Sequence, residues 1–155
     1  MEVRDLKLNE LGQLVSFLEE IIPHHIFCRE PDTILYYHLN KETRDSIYCC
    51  ALIDSNKRIK AIQFYEPIKK SMSQWGYGCL FLAAKDAPIG SGLLIFKHIL
   101  SKLNLGFIST GNNPRMVHYH KRLGIKTIQM NQYVLVNHSV KNNIILSFKK
   151  EYKIK

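Results

Sequence analysis

The chain has 155 residues, of which 46% are hydrophobic, so it is long and apolar enough to form one globular domain with a real core. This composition excludes a disordered protein, and no apolar run approaches the roughly 20 residues of a membrane-spanning helix. The net charge is +9, but no basic helix or nucleic-acid motif is present, and a basic surface suits an anionic small molecule equally well. We therefore expect neither a nucleic acid nor a membrane as a partner.

The first half of the chain predicts two helices and three strands. Residues 2–8 read as a strand, and Asn9 as the N-cap of a helix that continues to residue 22. A loop follows, and a second helix is predicted from Pro31 to about residue 39. Residues 46–68 predict a β-hairpin, because two apolar runs flank a turn signal at 54–57.

The second half alternates strands with helices. The predicted strands are 75–85, 105–110 and 125–137, and the predicted helices are 92–103 and 113–123. This order predicts an α/β (α+β) fold with a mixed, mostly antiparallel central sheet and helices on both faces. The β–α–β unit at 77–110 should supply one parallel pair of strands. We expect a single domain over 1–138, followed by an edge strand or basic tail at 139–155.

The cysteines and histidines do not predict a metal site. None of the four cysteines forms a C-x-x-C pair, and His118 and His120 stand two apart, so they would not share a helical face. Cys49 and Cys50 are neighbours in a predicted strand and should point to opposite faces. We therefore expect buried, reduced thiols. The first residues, "MEVRDLKL", do not form a signal peptide, and we expect a cytoplasmic protein.

Two stretches of the sequence, "FLAAKDAPIGSGLLIFKHIL" and "GNNPRMVHYHKRLGI", resemble the GNAT superfamily of acyl-coenzyme A N-acyltransferases. In the first, Gly90 and Gly92 match the family's glycines at a strand-to-helix turn, whereas Ala87 stands where Gln or Arg is usual. In the second, Asn113 and Gly124 match. The resemblance implies that acetyl-CoA or another acyl-CoA is the co-substrate.

The resemblance also implies how the coenzyme would bind. The amides of Ile89, Gly90, Ser91 and Gly92, together with the positive end of the following helix, would hold its pyrophosphate. Backbone groups of Phe81, Leu82 and Ala83 would pair with the pantetheine arm, and the Asn113 side chain would bond the same arm. The residues alone allow a simpler interpretation, in which the glycines form a packing turn and Asn113 only caps a helix.

Candidates for proton transfer follow from the same resemblance. His120 stands four residues before Gly124, the register at which the family keeps a tyrosine that protonates the leaving thiolate, and Tyr119 is the second choice. His120 would otherwise only pack or cap its helix. The sequence is weaker on the base that accepts the amine's proton. Glu66 and His25 are the chosen candidates, with His24 and Asp32 also open.

The aromatic residues Trp75, Tyr77, Tyr36 and Tyr37 predict either core packing or the wall of an acceptor pocket. The region around "WGYGCLF" also resembles GNAT-like domains of bacterial surface-glycan pathways, which implies an amino sugar as acceptor. The predicted function is transfer of an acyl group to the primary amine of a small molecule. A catalytically inactive GNAT-like binding module is the alternative, and a homodimer remains open.

Overall fold

The computed structural model describes residues 1–70, 73–103 and 106–109, together with Lys121, Gly124 and Lys126. The chain divides into two compact units, Met1–Asn112 and Asn113–Lys155. The description below therefore concerns the first unit, apart from those three single residues.

A mixed five-stranded sheet forms the centre of the first unit, with its strands in the order β1-β2-β3-β4-β5. Strands β1 to β4 are antiparallel to their neighbours, and β4 pairs with β5 in parallel. This confirms the predicted mostly antiparallel sheet and its one parallel pair. The strands are β1 Glu2–Lys7, β2 Ser46–Ile53, β3 Ile59–Lys70, β4 Ser73–Ala83 and β5 Gly106–Ser109.

Helices cover both faces of the sheet, as predicted. Their bounds are α1 Leu11–Ile21, α2 Ile26–Arg29, α3 Asp32–His38 and α4 Ser91–Lys102. No described helix is long and apolar enough to cross a membrane. The first three helices pack on one face of the sheet, and α4 packs on the other.

Strand β2, which lies between β1 and β3, has side chains in both layers of the core. Cys49 belongs to the cluster under α1–α3 and Cys50 to the cluster under α4, so the prediction that they face opposite sides is confirmed. Both are fully buried, and their thiols are free. Because each face of β2 is covered, the strand reads as an almost continuous apolar run instead of an alternating one.

Two local predictions were wrong. Asn9 lies inside a 3-10 turn, Leu8–Glu10, and does not cap α1. Glu10 stabilises this turn, because its carboxylate accepts a hydrogen bond from the Lys7 amide at 2.8 Å and pairs with Arg4 at 2.7 Å. The predicted loop after α1 contains α2, which is too short to show helical periodicity in the sequence.

The glycines of "WGYGC" have a packing role. A Cβ at Gly78 would overlap the ring of Phe107 on β5, and one at Gly76 would overlap both Phe107 and Leu103. The absence of side chains at these two positions lets the Phe107 ring lie directly against β4. This packing supports the parallel β4–β5 pair next to the candidate site.

Candidate functional site

A β-bulge interrupts strand β4 close to its carboxyl end. Gln63 pairs with Phe81 and Phe64 pairs with Cys79, so Leu80 is the extra residue on β4. Leu80 has a φ of 31°, a region that leucine rarely occupies. Bulges and strained backbone of this kind are concentrated near functional sites, where they redirect a strand.

Gln63 contacts the bulge from the neighbouring strand. Its side-chain amide donates to the backbone carbonyl of Cys79, directly before Leu80, and to the carbonyl of Phe64 at 3.0 Å. The half-buried amide thus satisfies a carbonyl at the irregular part of the ladder. No sequence signal singled out this residue.

Beyond the bulge, the predicted pantetheine-binding residues lie on the last part of β4. Phe81, Leu82 and Ala83 pair with β3 on one side. On the other side, the described pairing with β5 ends at Gly78 and Ser109. The parallel partner strand therefore covers only the first part of β4 among the described residues.

The turn between β4 and α4 presents backbone amides at the start of a 12-residue helix. Gly90 has a φ of +89°, which glycine adopts without strain, and a Cβ there would meet nothing within 4 Å. The amides of Ile89, Gly90 and Gly92 donate to no other residue in the described part of the chain. Amides without a described partner at a helix N-terminus, with open space at Gly90, are the kind of arrangement in which proteins bind anions.

Ser91 has a different place in this turn. It is buried, and both its amide and its hydroxyl donate to the carbonyl of Pro88. Pro88 itself has no amide hydrogen. The donors that remain for a ligand are therefore those of Ile89, Gly90 and Gly92, with Ser91 holding the turn closed.

The end of β4 and the turn are in direct contact. A Cβ on Gly92 would lie 3.1 Å from Cζ of Phe81, so the Phe81 ring lies against that glycine. The loop between them is held by an ion pair of 2.6 Å between Lys60 and Asp86, and by the Ala87 amide, which donates to Ala84 at 3.0 Å. The structure thus brings together the two sets of residues predicted to bind the coenzyme.

His25, one of the two predicted bases, has a structural contact. Its Nδ1 accepts a hydrogen bond from the Phe27 amide at 3.3 Å and thereby caps α2, while its ring packs edge-on against Phe27 at 4.7 Å. A nitrogen that accepts this bond is not available to take a proton from a substrate. Its exposed neighbour His24 has no such contact among the described residues.

Glu66, the other predicted base, is exposed and lines a cavity of about 180 Å³. Tyr37, Glu42 and Tyr48 line the same cavity. Tyr36 and Tyr37 are 75% and 57% exposed and pack edge-on, with ring centroids 4.9 Å apart, so they do not belong to the core. An open cavity with aromatic rings and carboxylates suits a polar, cationic ligand.

His38, at the end of α3, is a buried titratable residue on the face of the sheet that α1–α3 cover. No feature of the sequence singled it out. It is 6% exposed and packs against Phe64 and Phe27, with ring centroids at 4.7 and 5.9 Å. Burial lowers the pKa of His38 to about 4, although a hydrogen bond with the backbone of Tyr65 opposes this shift. Its Nδ1 has no hydrogen-bond partner among the described residues.

The second stretch of the resemblance lies largely outside the described residues. This applies to Asn113, Tyr119 and His120, the predicted pantetheine ligand and the two acid candidates. Gly124 is described, and it has a φ of +73° with its amide donating to Lys121 at 3.0 Å. This is a left-handed backbone conformation, which glycine adopts without strain.

No protein-family model matches the sequence, and no curated protein matches it. Several solved structures share its fold. A ribosomal-protein-alanine N-acetyltransferase from Brucella melitensis biovar Abortus is 10% identical over 88% of this chain and 100% of its own, with a TM-score of 0.62. An aminoglycoside antibiotic 6'-N-acetyltransferase from Acinetobacter baumannii is 11% identical over 88% and 97%, with a TM-score of 0.60.

A glucosamine-6-phosphate N-acetyltransferase from Arabidopsis thaliana is 16% identical and covers 85% of this chain and 97% of its own, with a TM-score of 0.52. At these identities the shared feature is the fold. The mixed, mostly antiparallel sheet with helices on both faces agrees with it. The chain therefore has the fold of the GNAT superfamily of acyl-coenzyme A N-acyltransferases, as the sequence resemblance predicted.

Proposed function

We propose that this protein is an N-acyltransferase that moves an acetyl or other acyl group from acyl-CoA to the primary amine of a small molecule. The observation that carries the proposal is the contact between the bulged end of β4 and the glycine turn, through Phe81 and Gly92. Strand backbone thus lies close to the amides of Ile89, Gly90 and Gly92, which donate to no residue in the described part of the chain. One continuous ligand with an amide-rich arm and a pyrophosphate fits both.

The charge of the protein agrees with such a ligand. A net charge of +9 attracts phosphate groups over a longer range than any single contact. In the proposed complex the amides of Ile89, Gly90 and Gly92 bind the pyrophosphate, and the backbone of Phe81, Leu82 and Ala83 pairs with the pantetheine. Ala87 adds no side-chain donor at the turn, so backbone amides would supply the binding there.

The bound co-substrate supplies an acyl thioester, whose carbonyl an amine attacks directly. Backbone amides of β4 beside Leu80 would polarise that carbonyl. His120 is the proposed donor of the proton that the leaving thiolate takes up, with Tyr119 as second choice, and Asn113 is a proposed ligand of the pantetheine arm. Glu66 is the proposed base, because His25 uses Nδ1 to cap α2.

An amino sugar is the acceptor class that we propose. The exposed rings of Tyr36 and Tyr37 offer apolar faces on which a sugar ring can stack. Glu66 and Glu42 line the cavity beside Tyr37 and would attract an ammonium group. Two solved structures of this fold are named for acetyl transfer to an aminoglycoside and to glucosamine 6-phosphate, which supports the choice.

The direct test combines calorimetry with an assay of thiol release. Coenzyme A and acetyl-CoA are titrated into the protein, and free thiol is then measured with acetyl-CoA and a panel of amines that includes amino sugars and peptides. We expect coenzyme binding and faster thiol release with amino sugars than with peptides. If coenzyme A does not bind, the proposed co-substrate is wrong. If peptides are the better acceptors, the proposed acceptor class is wrong.

The second candidate is a GNAT-like module that binds a ligand without catalysis. The observation in its favour is the loss of side-chain chemistry, since Ala87 replaces the usual Gln or Arg and His25 is engaged in capping. This module would bind coenzyme A in the calorimeter but release no thiol with any amine. The same pair of measurements therefore separates the two candidates.

A further inference from the structure

A compact group of polar side chains lies between the sheet and α4, on the face opposite to α1–α3. Asp5 on β1 stands directly across from Cys50 on β2, and His98 and Lys102 lie one turn apart on α4. One oxygen of Asp5, the sulfur of Cys50 and one ring nitrogen of His98 all lie within 4.8 Å of one another. Neither the coenzyme site nor the acceptor cavity includes these residues.

Two atoms of this cluster are buried without a hydrogen-bond partner among the described residues. They are Oδ1 of Asp5 and Nε2 of His98. A buried polar atom without a partner is costly, and folded proteins rarely leave two together unless something binds them. Both atoms belong to residues of the group that lies within 4.8 Å around the sulfur of Cys50.

The other oxygen of the Asp5 carboxylate is already held. Oδ2 accepts a hydrogen bond from the Tyr65 hydroxyl at 2.9 Å and pairs with the Lys102 ammonium at 2.7 Å. The Tyr65 contact fixes the orientation of the carboxylate and leaves Oδ1 for another partner. Outer-shell hydrogen bonds orient metal ligands in this way.

We propose that Asp5, Cys50 and His98 bind a zinc ion. Carboxylate oxygen, thiolate sulfur and imidazole nitrogen are the donors that Zn²⁺ takes in proteins, and three protein ligands leave a fourth position for water. The side chains of Asp5 and Lys102 are 23% and 35% exposed, which gives ion and water a path from solvent. The zinc replaces the proton of the Cys50 thiol, and that proton leaves to the solvent.

Lys102 is the group that opposes the ion. Its ammonium competes for the Asp5 carboxylate and repels a divalent cation. Its long aliphatic stem allows the charge to turn outward when the metal enters. The bound ion would link β1 and β2 to the second half of α4, the helix whose first residues form the glycine turn.

Burial argues against a reactive role for the same thiol. Cys50 is fully buried, so a substrate has no access to its sulfur, whereas a small ion can enter beside Asp5. Cys49 is equally buried and lies on the opposite face of β2. The chain thus provides a matched control one residue away.

The test uses protein stripped with a chelator and then dialysed, titrated with Zn²⁺ alone in a calorimeter and with Co²⁺ in a spectrophotometer. We expect one equivalent to bind to the wild type and to Cys49→Ala, with the near-ultraviolet band of a cobalt–thiolate bond. In Cys50→Ala that band should be absent, and zinc affinity should fall about 10-fold or more. Lys102→Ala should bind zinc more tightly than the wild type.

His98→Gln provides a second route if Cys50→Ala fails to fold, since His98 is half-buried on a helix. It should also weaken zinc binding, whereas His24→Gln, at an exposed histidine, should not. The proposal is overturned if the wild type binds no zinc. It is equally overturned if binding survives in both Cys50→Ala and His98→Gln, because the ion would then sit elsewhere.

Discussion

The side-chain amide of Gln63 donates a hydrogen bond to the backbone carbonyl of Cys79, the residue directly before the bulge at Leu80. A side chain on β3 therefore donates to the backbone directly beside the irregular part of the ladder. The strained backbone of Leu80 persists because its surroundings hold it.

Gln63→Leu should destabilise the protein by about 1–3 kcal/mol, because the half-buried carbonyl of Cys79 loses its donor. Urea denaturation measures this change. Gln13→Leu is the matched control, since Gln13 also donates to a backbone carbonyl, that of Lys57, but at an exposed site. Its effect should stay within about 0.5 kcal/mol. Equal effects of the two changes would show that Gln63 does not support the bulge.

Gly90→Ala should destabilise the protein by about 1–2 kcal/mol, because the φ of +89° places a Cβ against its own backbone even though the surrounding space is open. The same change should also lower the affinity for coenzyme A, because the backbone amides of the turn would shift. Gly12→Ala is the control in α1, where no atom lies within 4 Å of the new Cβ. It should stabilise the helix by about 0.5–1 kcal/mol. A neutral Gly90→Ala would refute the strained-turn interpretation.

His38 should make the protein less stable as the pH falls from about 6.5 to about 4. The lowered pKa means that the unfolded chain binds a proton in this window while the folded chain does not, so unfolding is favoured. This shift of the pKa corresponds to a loss of about 3 kcal/mol in the free energy of unfolding. The loss is complete only below the pKa of the folded protein. His38→Gln removes this pH dependence. Denaturation of both proteins at pH 7 and pH 4 should show the larger loss in the wild type, and parallel losses would contradict the assignment.

Glu66→Gln should lower turnover with an amino sugar by about 10²-fold if the carboxylate accepts the amine's proton. Coenzyme A affinity should stay unchanged, because Glu66 lines the cavity proposed for the acceptor and does not belong to the glycine turn. Glu30→Gln, at an exposed residue just before α3, provides the control and should leave turnover intact. Unchanged turnover in Glu66→Gln would remove Glu66 from the mechanism.

His120→Ala should lower turnover by about 10²-fold or more while coenzyme A affinity changes only a few-fold, since a proton donor acts only when the thiolate leaves. Tyr119→Phe should do much less, and His120→Tyr should retain part of the activity. Free thiol release across the amine panel measures all three. If Tyr119→Phe is the damaging change and His120→Ala is silent, the register that assigns the acid to His120 is wrong.

Local patterns in the sequence were enough to predict the architecture of the described part of the chain. Apolar runs and turn residues located all five strands, and the β–α–β spacing predicted the parallel pair. Gly90 and Gly92 marked the turn before α4, because a left-handed residue and a close contact with Phe81 both require small side chains. These features depend on neighbours in the chain, so periodicity and turn chemistry reveal them.

Other features depend on residues that are distant in the sequence. The bulge at Leu80 exists only in the register between β3 and β4, and the role of Gln63 follows from that register. Asp5, Cys50 and His98 carry no metal-binding spacing, and they meet only because β1 pairs with β2 while α4 packs across both. Strand pairing and helix packing set these contacts, and both are driven by the burial of apolar surface. Because the partners are distant in the sequence, no local pattern of residues predicts them.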